Sequence, residues 1–330
     1  MKPESYFVAE TAFHHQGEYE YLISLIDAAK SSGFDGIKFQ VLIDPDDFLS
    51  KKHSQYQVLR EYCFNEKEWL RLIEHAKNHS LDVIVLPLDQ LAVELTKEEQ
   101  IRYYDIHSVS FNDQRILSSL KNSSIPIMLS IGGRTIEEIR DLIEYFTGLI
   151  KVLMVGFQAF PSKIKDVKLE KISILRKMFK NLAIGYADHS SYEDDQRFLS
   201  NYCARMLGAT HFEKHLTLGL DKTRVDYNSA MPADELRMLI QQIKFMDEIL
   251  KNKDDTFKLT ESEQKYRDRQ LKVVATANIN KGEFLTEENV GLRMIDQIGG
   301  YEKIELVLGK SCNVDLTHGT LVSSSHLQIR

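Results

Sequence analysis

The chain has 330 residues, of which 43% are hydrophobic and 28% charged, a composition typical of a globular protein large enough for two domains. Its 42 basic and 49 acidic residues give a formal net charge of −7, so we expect no nucleic-acid partner. The cysteines, Cys63, Cys203 and Cys312, lack any CxxC spacing, which indicates a reducing compartment. No apolar leader or membrane-length run is found, so we expect a cytoplasmic protein with no membrane partner.

From residue 6 to about residue 252, strand-like and helix-like patterns alternate. Short apolar runs predict strands at residues 6–12, 36–41, 82–88, 103–108, 126–131, 151–157, 182–187 and 210–217. Helical spacing predicts intervening helices, including 18–32, one capped by Asn65, one capped by Thr135, the segment 194–207 and a last helix at 232–250. This alternation predicts an α/β fold, a (β/α)₈ TIM barrel over residues 1–252. A doubly wound open sheet is the alternative, but no GxGxxG follows the first strand.

The pattern changes after the barrel. Residues 253–270 are highly charged with few apolar side chains, and we interpret them as a linker. Residues 271–330 contain short apolar runs separated by glycine-containing turns, which predicts a small, mostly β domain with its own core.

Polar side chains gather where the predicted barrel strands end, which is where barrel enzymes place their active sites. They include Glu10, Lys38, Gln40, Ser108, Ser130, Arg134, Gln158, Asp188, His189 and His215. Glu10 and Lys38 are either catalytic or an ion pair between neighbouring strands. Arg134 follows two glycines and is either part of an ordinary βα turn or part of an anion site at a helix N-terminus. Asp226 lies in a long loop after the last strand and either faces a substrate or is solvated.

His189 and His215 follow neighbouring predicted strands. Two imidazoles with water at the open positions suit Mn²⁺, Fe²⁺, Zn²⁺ or Co²⁺. Such an ion would polarise a carbonyl oxygen as a Lewis acid. Two histidines this far apart in sequence also occur by chance, so hydrogen-bonded structural histidines are the alternative.

Several motifs, in order, resemble the sialic acid synthase family. They are Val8-Ala9-Glu10 with His15 and Gly17, Ile37-Lys38-Phe39-Gln40, Leu129-Ser130-Ile131-Gly132, Gly185-Tyr186-Ala187-Asp188-His189-Ser190 and Phe212-Glu213-Lys214-His215-Leu216-Thr217. The tail resembles the family's antifreeze-like (SAF) domain through Ala277-Asn278-Ile279-Asn280-Lys281-Gly282-Glu283 and Leu308-Gly309-Lys310.

The resemblance implies a metal-dependent condensation of phosphoenolpyruvate with an N-acyl amino sugar to a nine-carbon keto acid. The metal, Mn²⁺ foremost with Mg²⁺, Co²⁺ or Zn²⁺ as alternatives, would be held by His189 and His215. The implied catalytic residues are Glu10, Lys38 and Asp188. The resemblance implies substrate contacts from Glu10, Gln40, Asn65, Asp226 and Arg293. We also predict substrate contacts from Ser108, Ser130, Arg134, Gln158 and Phe160. The resemblance also implies a domain-swapped homodimer, in which Arg293, or Met294 one register away, reaches the partner's sugar.

The chain departs from the family mainly around the donor's phosphate. The family's phosphate-binding lysine falls on Ile125, a serine on Ala187, an asparagine on Gln158 and a tyrosine on Phe160. The usual Lys-Ile-Ala-Ser-Gly-Glu reads Asp105-Ile106-His107-Ser108-Val109-Ser110. Three hypotheses follow: a synthase in which Arg134 replaces the lysine, a phosphate-independent keto-acid sugar aldolase or lyase, and a non-catalytic sugar-binding protein.

Overall fold

The computed structural model describes residues 4–156, 159–220, 223–250 and 257–328. The chain divides into two compact units, the first ending at residue 251. The end of the predicted sixth strand at residue 157, and the predicted substrate contact Gln158, lie outside the described residues.

The first unit contains a closed barrel of parallel strands, each hydrogen-bonded to the next in chain order. The barrel strands are β1 (Tyr6–Glu10), β2 (Gly36–Val41), β3 (Asp82–Pro87), β4 (Tyr103–Ile106), β5 (Ile127–Ser130), β6 (Ile150–Val155), β7 (Ala183–Asp188) and β8 (His211–Thr217). β1 also pairs with β8, so the sheet closes on itself. This closure confirms the predicted (β/α)₈ barrel and excludes the open doubly wound sheet. A short strand, β9 (Ala230–Pro232), adds to β8.

The barrel unit's helices are α1 (Tyr19–Ser32), α2 (Pro45–Phe48), α3 (Tyr56–Glu61), α4 (Glu66–Asn78), α5 (Gln90–Thr96), α6 (Gln114–Ser123), α7 (Ile136–Phe146), α8 (Glu170–Met178), α9 (Leu199–Leu207) and α10 (Ala233–Leu250). Asn65 and Thr135 cap α4 and α7 through complete capping boxes. The predicted helix at residues 194–207 begins only at Leu199. Asp194 explains the late start, because its carboxylate accepts a hydrogen bond from the Gln196 backbone amide in a local turn.

Two layers of apolar side chains hold the barrel together. The larger layer lies between strands and helices and includes Leu22, Trp69 and Ile240. A smaller layer fills the barrel interior and includes Val8, Ile84, Met128 and Met154. A Cβ at Gly185 would collide with the Met154 sulfur, so β7 needs glycine there. The barrel interior is therefore packed below the carboxyl ends of the strands.

The second unit has a small core of its own, built around Val273, Leu285 and Val322. Its two antiparallel strands are β10 (Lys272–Ala275) and β11 (Val290–Arg293). The segment predicted as a linker contains a helix, α11 (Glu261–Arg267), which Thr260 caps. Within the described ranges, no helix is both long and apolar enough to cross a bilayer.

Candidate active site

A small cavity of about 40 Å³ opens at the carboxyl ends of the barrel strands. Its lining residues are Glu10, Lys38, Gln40, Leu86, His107, Ser130, Met154, Phe160, Ala187, His189, Glu213, His215 and Asp226. Alternation along the strands explains this set. Successive strand side chains point to opposite faces, so Glu213 and His215 of β8 face the interior while Lys214 faces the helices.

Lys38, Glu10 and Glu213 form the floor of the cavity. With Asp105, which contacts Lys38 but is not part of the lining, they make a buried cluster, here called the Lys38 cluster. The Lys38 ammonium forms ion pairs with Glu10, with Asp105 at 2.9 Å and with Glu213 at 2.8 Å. All four side chains are at most 5% exposed. The predicted alternative of an ion pair between Glu10 and Lys38 is therefore present, but within a larger cluster drawn from four strands. One ammonium facing three carboxylates leaves the cluster formally acidic.

Neighbouring groups orient the carboxylates of the Lys38 cluster. The Ser130 hydroxyl lies 3.0 Å from both carboxylate oxygens of Asp105. The Gln40 amide donates to Glu10 at 3.3 Å, and the Ala12 backbone amide donates to the same oxygen at 3.0 Å.

Burial and these charges shift the pKa values of the cluster. Burial lowers the pKa of Lys38, but Asp105 and Glu213 outweigh it, so the net shift is upward. Burial, with the neighbouring Asp105 charge, raises the pKa of Glu213 although Lys38 opposes the shift. Lys38 therefore stays charged, while Glu213 is the member of the cluster best suited to hold a proton.

His189 and His215 stand side by side at the rim, with ring centroids 5.2 Å apart. Burial, assisted by the Lys214 charge, lowers the pKa of His189 to about 4. Burial and the neighbouring His189 lower the pKa of His215 well below its usual value. Both imidazoles are therefore neutral near pH 7, the state in which histidine binds a metal.

The hydrogen bonding of this pair fits a metal site. His189 Nδ1 lies 3.2 Å from the Ala187 carbonyl oxygen, an acceptor that places the proton on Nδ1 and leaves the Nε2 lone pair available. His215 Nδ1 is buried with no hydrogen-bond partner among the described residues, a state that a bound ion would relieve. Two neutral nitrogens with open positions match a catalytic site for Mn²⁺, Fe²⁺, Co²⁺ or Zn²⁺.

Three further side chains shape the cavity. The Phe160 ring packs edge-on against His189 and His215, at centroid distances of 4.9 and 6.0 Å. Burial raises the pKa of Asp226 and lowers that of His107. The cavity therefore holds an acid and a base whose charged forms are both disfavoured.

The structure does not bring Asp188 into this cavity. Asp188 points outward from β7, where it accepts hydrogen bonds from the Ser190 backbone amide at 2.8 Å and the Asn201 side chain at 2.9 Å. It also pairs with Lys214 at 3.2 Å. Burial raises the pKa of Asp188, but Lys214 and these hydrogen bonds outweigh it and lower the pKa overall. The geometry therefore gives Asp188 a supporting position behind His189 instead of the predicted catalytic one.

Other predicted contacts lie elsewhere in the barrel unit. Arg134 lines a separate groove, where it stacks on Phe111 and pairs with Glu138 at 3.1 Å. Asn65 is occupied by its capping role. Ser108 is buried in a 3-10 turn after β4 and is not part of the lining. In the second unit, Arg293 ends β11 with an exposed side chain, and Met294 follows it.

The structure places Ile125, the predicted replacement of the family's phosphate-binding lysine, away from the cavity. Ile125 precedes β5 at the amino end of the strand and packs against the core, so it lies at the end of the barrel away from the cavity. The altered position that bears on the cavity is Asp105, which stands where the family pattern has lysine.

Sequence reasoning also left Glu213 and His107 without a site role, although both line the cavity. Glu213 lies two residues before His215, and His107 lies two residues after Asp105. This spacing was the available signal, because alternate residues of one strand share a face.

Two protein-family models and several known proteins match this chain. Residues 25–255 match the NeuB family and residues 273–328 match the SAF domain. Pseudaminic acid synthase of Campylobacter jejuni is 27% identical over 338 residues, covering 97% of this chain and 96% of that protein. N,N'-diacetyllegionaminic acid synthase of the same species is 27% identical over 302 residues, covering 86% and 88%. The crystal structure of N-acetylneuraminic acid (sialic acid) synthetase from Leptospira borgpetersenii shares the fold, with a TM-score of 0.72 at 22% identity, over 81% of this chain and 91% of that one.

Proposed function

The chain belongs to the NeuB family, and we propose that its barrel joins a three-carbon enol donor to the aldehyde of an amino sugar, giving a 2-keto-3-deoxy sugar acid. The observation that carries this proposal is the pair of neutral histidines, His189 and His215, placed at the rim of a cavity whose floor is formed by members of the Lys38 cluster. The similarity to pseudaminic and legionaminic acid synthases supports phosphoenolpyruvate as donor and an N-acyl amino sugar as acceptor.

A divalent ion held by His189 and His215 would supply Lewis-acid polarisation of the acceptor's carbonyl oxygen. The protein's own residues position the two reactants. Among the described lining residues, Lys38 is the cation that a donor carboxylate would contact, in competition with its three carboxylate partners. Phe160 covers one side of the histidine pair. Gln40 and Asp226 provide hydrogen-bonding groups for sugar hydroxyls along the cavity wall.

Proton transfer is assigned to Glu213. The new bond forms between the donor's methylene carbon and the aldehyde carbon, and the aldehyde oxygen must take up a proton. A carboxyl group whose pKa is raised holds a proton nearer neutral pH than an ordinary one. With phosphoenolpyruvate, attack of water on the donor then releases inorganic phosphate.

A second candidate forms the same carbon–carbon bond with pyruvate as donor. A methyl proton of pyruvate is first transferred to a carboxylate of the cavity to give the enolate, and no phosphate is released. This candidate is favoured by the charge of the cavity. Even with a proton on Glu213, the Lys38 ammonium faces the carboxylates of both Glu10 and Asp105, so the floor of the cavity keeps a net negative charge. A multiply charged phosphate ester is repelled by this surface more than singly charged pyruvate. We propose this version as the alternative.

The deciding experiment is calorimetric titration of phosphoenolpyruvate and, separately, pyruvate into the Mn²⁺-loaded protein, followed by incubation with N-acyl amino sugars. Formation of a keto sugar acid with release of phosphate supports the first version, and formation without phosphate, from pyruvate, supports the second. His189→Gln is expected to abolish product formation, while His53→Gln, an exposed histidine on the barrel's surface, serves as the matched control. A folded, Mn²⁺-loaded protein that binds neither donor and forms no product would contradict both versions and leave sugar binding as its remaining role.

A further inference from the structure

A second group of metal-ligating side chains lies on the outer surface of the barrel, between α1 and α4, which pack side by side. It consists of Asp27 from α1 with His75 and His79 at the end of α4, here called the outer triad. Among the residues that the structure describes, it is the one group of three such side chains whose ligand atoms all lie within 4.8 Å of one another. We propose that the outer triad binds a divalent transition-metal ion of the Zn²⁺ class, independently of the site in the barrel mouth.

The helix geometry prepares the two histidines for a shared ligand. His75 and His79 are four residues apart, so their side chains project from the same face of successive turns. The His79 backbone amide donates to the His75 carbonyl oxygen at 3.2 Å, which fixes that spacing. The ring centroids are 4.7 Å apart and the rings are inclined at 66°, so the rings are not stacked face to face.

Both rings direct the same nitrogen at the same carboxylate oxygen. Asp27 Oδ1 lies 2.7 Å from His75 Nε2 and 3.1 Å from His79 Nε2. In a tetrahedral zinc site, metal–ligand bonds of about 2.0–2.1 Å separate neighbouring ligand atoms by about 3.3 Å. The observed separations are shorter by a few tenths of an ångström. Small rotations of side chains that are 31%, 38% and 52% exposed therefore make room for the ion.

The ligand atoms of the outer triad determine which metal ions it can bind. Two imidazoles and one carboxylate suit Zn²⁺, Cu²⁺, Ni²⁺ and Co²⁺ better than Mg²⁺ or Ca²⁺. The position at the carboxyl end of α4 also favours a cation, because the helix dipole is negative there. On binding, the ion takes the Nε2 lone pairs, and the ring protons move to Nδ1 or leave to solvent. The ion would tie α1 to α4 and keep a coordination position open for water.

The test is zinc binding by the full-length chain without an affinity tag. In calorimetric titration with Zn²⁺, we expect the double variant His75→Gln/His79→Gln to bind one zinc ion fewer per chain than the wild type. Asp27→Asn is expected to weaken binding at this site by about tenfold or more. The matched control is His318→Gln, which removes an exposed histidine from the second unit and should leave the stoichiometry unchanged.

A spectroscopic measurement separates this site from the barrel mouth. Cu²⁺ added to the His189→Gln/His215→Gln variant, once circular dichroism shows that it is folded, should give an electron paramagnetic resonance signal with coupling to two imidazole nitrogens. Adding His75→Gln and His79→Gln to that variant should abolish the coupling. The proposal is overturned if the outer-triad variants retain the wild-type zinc stoichiometry, or if Asp27→Asn binds zinc with unchanged affinity. These outcomes do not depend on whether the barrel is catalytic.

Discussion

Replacing Asp105 by asparagine tests whether the acidic floor of the cavity governs the choice of donor. Asp105 is fully buried, pairs with Lys38 at 2.9 Å and accepts from Ser130. Asparagine keeps the shape and the ability to accept a hydrogen bond while removing one negative charge. Glu10 still neutralises Lys38, and Glu213 keeps its contact with the ammonium, so we expect the free energy of unfolding to fall by only about 1–3 kcal/mol.

The effect on the donor is larger and depends on its charge. At an effective dielectric constant of about 20, a charge about 7 Å from a singly charged group contributes about 2.4 kcal/mol, or about 50-fold in affinity. A phosphate ester carries more negative charge than pyruvate. The Asp105→Asn variant should therefore bind phosphoenolpyruvate at least about 50-fold more tightly than the wild type, with a smaller gain for pyruvate.

The assay is calorimetric titration of both donors into the Mn²⁺-loaded wild type and variant, at constant ionic strength. Asp141→Asn, which removes an exposed carboxylate from α7, is the control for a change in net charge alone. Equal gains for the two donors, or no gain for phosphoenolpyruvate in a folded variant, would refute the argument that Asp105 discriminates against phosphate.

Three further predictions follow from the same geometry. Burial lowers the pKa of His14 to about 4 and that of His15 to about 3. Below pH 6.5 the unfolded chain therefore binds protons that the folded chain does not, so the free energy of unfolding falls as the pH decreases. His14 alone accounts for about 3 kcal/mol of this fall by pH 4. Urea unfolding measured from pH 7 to pH 4.5 should show the fall, and a His15→Gln variant whose stability has the same pH dependence as the wild type would contradict it. Asp188→Asn leaves Lys214 buried without its counter-ion and should lower the free energy of unfolding by about 3–5 kcal/mol, measured in urea. Asp226→Asn should change that free energy by less than about 1 kcal/mol but reduce turnover. A larger loss of stability in Asp226→Asn than in Asp188→Asn would show that the two carboxylates have been assigned to the wrong roles. Arg134→Ala should change the affinity for the donor by less than about twofold, because Arg134 lies in a separate groove. A large loss of phosphoenolpyruvate affinity measured by calorimetry would restore the hypothesis that Arg134 replaces the phosphate-binding lysine.

Much of the site was accessible from sequence because barrel geometry places strand ends together. Glu10, Lys38, Gln40, Ser130, His189, His215 and Asp226 all line the cavity. Their strands were recognisable from short apolar runs, and the carboxyl ends of barrel strands converge in essentially every such fold. The capping boxes at Asn65 and Thr135 were equally local, because each depends on residues three apart.

The contacts that set the chemistry were decided by tertiary structure. Lys38 meets Asp105 and Glu213 across the barrel interior, although they lie on strands that are not neighbours of β2. Which side of β7 carries Asp188 depends on the barrel register, and that register turns it away from the cavity while His189 faces inward. Asp27 meets His75 and His79 only because α1 packs beside α4. The sequence alone determined the elements and their order, since hydrophobic periodicity and capping are local. Only the closed barrel decided which charges share one buried space, because that depends on contacts between residues far apart in the chain.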